Sequence, residues 1–273
     1  MDVPSRFSLL HATFRAGLDA VAVRDEWIQR AASPERVEQV FACDTDDEIS
    51  MSCSEIASGV VGEPMPGRVT AVRNWNAAAA VATGDLMVVI ADDLHPPDRW
   101  DAALEALRRD LDPRRAGFVI KVSDSADPSN DLMRHPVLSR AYYERFGLWY
   151  PEYEGYLVDN DFTLAAHRRN VIIDGRAVRF EHRHPLHGGV KTESHQLIEV
   201  TRAAGRELLG RRWPMWKRRM VRWPLRPRNQ QTTIGPLERA ARGGVARLGY
   251  AGALVPDAAR VRLRTWTRGS APA

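Results

Sequence analysis

Gly84-Asp85-Leu86-Met87-Val88-Val89-Ile90-Ala91-Asp92-Asp93 is the stretch on which the fold turns. Leu86 to Ala91 is an apolar run with no polar break, the pattern of a strand buried on both faces of a sheet. The run ends in two adjacent carboxylates, so a buried strand carries acidic groups to a sheet edge. Upstream, Asn76 to Thr83 reads as an alanine-rich helix that Gly84-Asp85 stops. Downstream, a helix is expected from about Pro97 to Asp110, then a strand from Gly117 to Val122. Towards the N-terminus, Phe7-Ser8-Leu9-Leu10-His11-Ala12 and Val37-Glu38-Gln39-Val40-Phe41-Ala42-Cys43 read as strands. Between them lies a helical period from about Val21 to Ala32. Strands alternating with helices predict an α/β fold with a mainly parallel sheet flanked by helices. Ligands of such sheets sit beyond the carboxyl ends of the strands. That rule singles out His11-Ala12-Thr13, Asp44 to Asp47, and Asp92-Asp93.

The chain has 273 residues, 44% of them apolar, enough for one large domain with an appendage. No run of 18 uncharged apolar residues occurs, and the start lacks the basic cluster of a signal peptide, so a cytoplasmic protein is expected. Cys43 and Cys53 are spaced neither as a metal site nor as a disulfide framework and read as small buried hydrophobes. Charge is divided unevenly. Residues 1–201 hold 22 basic and 32 acidic residues, residues 202–273 hold 17 and 3. The basic part mixes cations with tryptophans, most densely over 211–226. Such a composition fits an anionic membrane surface and also nucleic acid, though no RNA- or DNA-binding motif accompanies it.

Several motifs carry chemistry. Adjacent carboxylates at a strand end suit Mg²⁺ or Mn²⁺, which prefer oxygen ligands and share phosphate oxygens. Gly147-Leu148-Trp149-Tyr150-Pro151-Glu152-Tyr153-Glu154-Gly155-Tyr156-Leu157-Val158-Asp159-Asn160-Asp161 sets two carboxylates behind an aromatic-rich loop of the kind on which sugars stack. Phe180-Glu181-His182-Arg183-His184 places two imidazoles on one face of a strand.

In this order these segments resemble family 2 glycosyltransferases of the GT-A fold, over about residues 5–190. The resemblance implies a GT-A, Rossmann-like catalytic domain over 1–201, with a nucleotide-sugar half to about 115 and an acceptor half over 116–201. A basic aromatic extension fills 202–273. It implies a nucleoside-diphosphate sugar donor, UDP- or GDP-linked, and Mg²⁺ or Mn²⁺. Ala12, Thr13, Arg15, Asp44, Asn76, Asp92 and Asp93 then contact the nucleotide sugar. Asp93 with His182 or His184 holds the metal, and Asp159 is the base of an inverting transfer. Trp149, Tyr153, Tyr156 and Asp161 face an acceptor that the sequence does not identify. Two positions depart from the family: Ala91 stands where a motif aspartate is usual, and Val158 where a glutamate is usual. A non-catalytic nucleotide-sugar or glycan-binding protein is therefore the alternative, followed by membrane or nucleic-acid binding through the extension. A peripheral membrane contact through 211–226 and a second copy of the chain complete the expected partners.

Overall fold

A computed structural model describes residues 4–57, 71–108, 110–124, 131–183, 193–214 and 217–218. The first half runs β1 (Phe7–Ala12), α1 (Leu18–Gln29), β2 (Val37–Ala42), α2 (Glu48–Met51), α3 (Ser54–Ala57), α4 (Ala71–Val81), β3 (Leu86–Ile90), β4 (Leu94–His95) and α5 (Trp100–Arg108). The second runs β5 (Val119–Ser123), β6 (Val137–Ser139), α6 (Arg140–Phe146), α7 (Val158–Arg169), β7 (Ile172–Arg179), β8 (Glu181–His182), α8 (Glu193–Val200) and α9 (Arg202–Arg212). Six strands form one sheet in the order β2-β1-β3-β6-β5-β7, and β4 pairs with β8 in a second, two-stranded sheet. Only β6 runs antiparallel to its neighbours in the large sheet. The sheet is thus mixed and mainly parallel.

Side chains that alternate along β3 explain why its sequence is apolar throughout. Met87 and Val89 join a core with Ala78, Ala79 and Phe162 from the helices on one face. Leu86, Val88 and Ile90 join Trp27, Trp100 and Leu104 on the other. Alanines at 78 and 79 have no exposed surface, and their small side chains let α4 lie close to the sheet. On the opposite face Trp27 meets Trp100 and Phe180 edge-on at centroid distances of 5.1 and 5.0 Å.

Gly84 connects α4 to β3 where no side chain fits: a Cβ there would run into Ser8. Its N–H donates to Ser8 Oγ at 2.8 Å, while Glu38 accepts the Thr83 hydroxyl at 2.7 Å. The turn that delivers β3 is thereby stitched to both β1 and β2. Cys43 and Cys53 are buried free thiols, and burial pushes Cys43 up to about 12.

The expected boundary at residue 201 is moved by the structure. Helix α9 packs on α7, where Leu209 and Trp213 bury against Ala165. Asp161 accepts hydrogen bonds from Arg212 Nε and Trp213 Nε1, both at 2.7 Å. Residues to at least 213 therefore belong to the body. Asp161→Ala takes the shared acceptor from the buried Trp213 indole and the part-buried Arg212 guanidinium and is expected to cost about 3 kcal/mol. Urea unfolding should show a lower midpoint with an unchanged slope. A loss below about 0.5 kcal/mol would mean that the α7–α9 contact rests on its apolar residues alone. Most of the segment 211–226, and all of the chain after 218, lies outside the described residues. No helix among the described residues is long and apolar enough to cross a membrane.

Candidate active site

The C-terminal ends of β1, β2 and β3 bring three predicted segments together. Register pairs Ala12 with Ala42, so the loops after β1 and β2 leave the sheet side by side. Thr13 is buried, its N–H bonded to the Ala42 carbonyl at 3.0 Å and its hydroxyl without a hydrogen-bond partner among the described residues. Asp44 follows β2 and accepts from Arg73 at 2.9 Å and from Asn74 at 3.4 Å, both on α4. Asp92 reaches across to β1: Oδ1 lies 2.8 Å from His11 Nε2, and Oδ2 accepts the Phe14 N–H at 3.3 Å. Arg15 has a positive φ of 53°, and its N–H is held by Asp47 at 2.7 Å. Its guanidinium pairs at 2.8 Å with Glu193, at the start of α8.

Asp93 and His182 meet because β4 pairs antiparallel with β8. Leu94 lies opposite His182, and the Arg183 N–H donates to the Asp93 carbonyl at 2.8 Å. The side chains face each other with Asp93 Oδ2 3.3 Å from His182 Nε2. One carboxylate and one imidazole form a donor set that Mn²⁺ or Mg²⁺ accepts when diphosphate oxygens complete the shell. No group of three His, Cys, Asp or Glu side chains among the described residues forms a metal cage. His184 lies outside them.

A second cluster adjoins this pair. The His135 ring packs edge-on to His182 at 4.7 Å between centroids. Asp124, just after β5, accepts from the backbone and ring of His135 at 3.1 and 3.2 Å. It also lies 3.6 Å from Lys121 and 3.5 Å from Arg134. Burial alone would raise the Asp124 carboxyl. The His135 bond and the neighbouring cations outweigh that and hold it well below the usual range. Burial in turn pushes His135 down. An ionised Asp124 only accepts, so His135 presents Nδ1–H to it. Asp159, in the first turn of α7, is partly buried, and its Oδ1 accepts the Asn160 N–H at 2.8 Å. Burial, joined by the charge of Asp124, lifts its carboxyl above the ordinary value despite Arg134.

Five expected contacts are corrected. Asn76 lies on α4 but uses both ends of its amide on the Trp149 backbone, at 3.0 and 2.9 Å, and so clamps the acceptor-side loop rather than a nucleotide. Trp149 and Tyr153 are 4% and 3% exposed and belong to the core. Asp161 is consumed by Arg212 and Trp213. Tyr156 lies under the start of α9: its N–H donates to Thr201 at 2.9 Å and Arg202 stacks on its ring at 4.4 Å. Asn76, Trp149 and Asp161, together with Tyr150, Arg169 and Arg212, line a cavity of about 320 Å³, which contains none of Asp44, Asp93, His182 or Asp159.

No protein-family model matches the chain, and no curated protein sequence does. Solved structures do match. S. aureus TarS 1–349 in complex with UDP superposes with a TM-score of 0.50 at 13% identity, covering 97% of this chain and 92% of that one. Glucosyl-3-phosphoglycerate synthase from Mycobacterium tuberculosis, with Mn²⁺ and UDP-glucose, gives 0.50 at 15% identity, covering 76% and 79%. The Pyrobaculum calidifontis mannosyltransferase PcManGT, in complex with GDP-Man and Mn²⁺, gives 0.49 at 17%, covering 97% and 84%. The chain spans 39% of the longer S. aureus TarS chain it matches.

The fold is GT-A.

Sequence reasoning missed several residues at the GT-A strand ends. Arg73 and Asn74, rather than Asn76, face Asp44. Lys121, Asp124, Arg134 and His135 occupy the region between the metal-type pair and Asp159. Lys121, a lysine 1% exposed inside an apolar strand, was the signal available. A charge is rarely buried without a partner. Asp124 also follows a strand end, as Asp44 does.

Proposed function

We propose that the chain is a glycosyltransferase that moves a sugar from a UDP- or GDP-sugar to an acceptor hydroxyl with inversion, Asp159 acting as base. The observation that carries this reading is the Asp93–His182 pair, held at the sheet edge by β4 and β8 and joined through His135 and Asp124 to the neighbourhood of Asp159. Support comes from the ligands of GT-A neighbours, among them UDP-GlcNAc with TarS and UDP-glucose with Mn²⁺ in the synthase.

In this reading Thr13, Asp44, Arg73 and Asn74 surround the base and ribose. A carboxylate at 44 accepts a ring N–H of uracil or guanine, and Arg73 fixes its direction. Asp93 and His182 would hold Mn²⁺ or Mg²⁺, whose charge would stabilise the departing diphosphate. Asp92 shapes the loop after β1 through His11 and Phe14. Asp159 takes the proton of the acceptor hydroxyl as that oxygen bonds to the anomeric carbon and the nucleoside diphosphate leaves. Release of UDP or GDP from a panel of sugar donors, with glycosylated product seen by mass spectrometry, tests the reading. Ala91 and Val158 favour a second one, a donor-binding protein without turnover. Tight donor binding with neither transfer nor hydrolysis would select it.

The raised Asp159 carboxyl sets the pH dependence. The base works ionised, so kcat/KM falls as pH drops through its folded value. The acid limb is expected above the ordinary aspartate value of about 3.9, displaced upward by burial. An acid limb at or below that value, in a pH–rate profile at saturating Mn²⁺, would remove Asp159 from the role.

A further inference from the structure

The segment 131–135 runs beside the first turn of α7, and its exposure alternates. Asp131, Met133 and His135 are buried, while Leu132 and Arg134 are partly exposed. Met133 N–H donates to Thr163 Oγ1 at 2.9 Å, and that hydroxyl donates to the Asp159 carbonyl at 2.7 Å. These two bonds hold the segment that carries Arg134 against the turn of α7 that carries Asp159. The Arg134 pairing with protein is loose. Nη1 lies 3.5 Å from Asp124 Oδ1 and, though buried, makes no hydrogen bond among the described residues. The side chain as a whole is 25% exposed, so it reaches solvent although Nη1 itself is buried. Asp124 does not belong to Arg134 alone. It already takes two bonds from His135 and faces Lys121. Two basic side chains thus share one carboxylate, and the more exposed of them, Arg134, is carried by the segment bonded to α7 beside Asp159.

We propose that Arg134 anchors a phosphate group of the acceptor and so orients a nearby hydroxyl towards Asp159. A guanidinium binds phosphate through paired hydrogen bonds, which fixes direction as well as position. The proposal rests on the glycosyltransferase reading with Asp159 as base. The anion has two possible sources, a soluble phosphorylated compound or a phospholipid headgroup.

The full chain is loaded with Mn²⁺ and whichever UDP- or GDP-sugar it binds. It is then offered acceptors in matched pairs: glycerol against glycerol 3-phosphate, glucose against glucose 6-phosphate, and diacylglycerol against phosphatidylglycerol in phosphatidylcholine vesicles. Transfer by mass spectrometry and binding to the loaded protein by calorimetry are both read. The expected result is that a phosphorylated member is preferred about tenfold or more over its neutral twin. Arg134→Gln should raise its KM or Kd about tenfold while donor affinity stays unchanged, and Arg134→Lys should restore part of the loss. Preference confined to vesicles names a lipid acceptor, and preference in solution names a soluble one. If no phosphorylated member outperforms its twin in either readout, the proposal is overturned. It is also overturned if Arg134→Gln weakens the donor instead, because the arginine then serves the diphosphate. Failure of the wild type to bind any donor appears before an acceptor is added and counts against the glycosyltransferase reading itself.

Discussion

Asp159→Asn is expected to lower kcat by about 10²- to 10⁴-fold, the range of a lost general base, with donor affinity nearly unchanged. The substitution keeps the shape of the side chain and its acceptor for the Asn160 N–H, but an amide cannot take the hydroxyl proton. It should also stabilise the protein. A carboxyl whose folded value is raised contributes stability below its unfolded value and loses it as pH rises through the folded one. At neutral pH the ionised, partly buried group is a net cost, and asparagine removes it. Higher thermal stability together with lost turnover is the signature of a site residue that works against the fold. A variant that keeps turnover within threefold, measured as nucleoside diphosphate released with acceptor present, would show that another group is the base.

Asp93→Ala is expected to abolish the gain in donor affinity that Mn²⁺ confers, a loss of about tenfold or more. Ala91 makes this position more exposed to loss than in a chain with two motif aspartates. With Asp93 gone, His182 is the one remaining described side chain of the pair, and a single imidazole holds Mn²⁺ weakly. His182→Asn should weaken the metal less, because the carboxylate and the diphosphate oxygens remain. Titration of Mn²⁺ by electron paramagnetic resonance, with UDP or GDP present, reads both variants directly. An Asp93→Ala protein with wild-type Mn²⁺ affinity would mean that the metal is held elsewhere, or that the transfer does without it.

What the sequence revealed follows from where the signals are local. The runs at Phe7–Ala12 and Leu86–Ile90 became strands because helices bury them on the sheet faces, and Val37–Ala42 joins them as a partly buried strand with Phe41 and Ala42 in the core. Two strands of the large sheet were not legible. β6 has three residues, too few for any periodicity, and β7 at the sheet edge mixes Asp174, Arg176 and Arg179 among its apolar residues. There Asp174 and Arg176 pair with each other, at 2.8 Å. Helix α4 starts at Ala71, earlier than the expected Asn76, because Val72 and Asn74 extend its buried face. The site divides along the same line. Asp44, Asp92 and Asp93 stand at strand ends, which hydrophobic patterning alone locates. The meeting of Asp93 with His182 needed the β4–β8 pairing, two residues a strand, which no local pattern announces. The aromatic loop misled for a related reason. Trp149, Tyr153 and Tyr156 have the composition of a sugar platform, but Trp149 and Tyr153 are buried in the core while Tyr156 stays partly exposed under Arg202, and only the tertiary contacts reveal which way a ring faces. Asp124 and Arg134 lie 10 residues apart in sequence and become one cluster only through folding.

Calorimetric titration of the wild-type chain with UDP- and GDP-sugars, with and without Mn²⁺, tests the central claim most directly. The account predicts that one donor binds and that Mn²⁺ tightens it by about tenfold or more, through the Asp93–His182 pair. Binding of none of these donors at millimolar concentration, with Mn²⁺ present, would contradict it: the chain would then have the GT-A fold without the donor site that the proposed reaction requires.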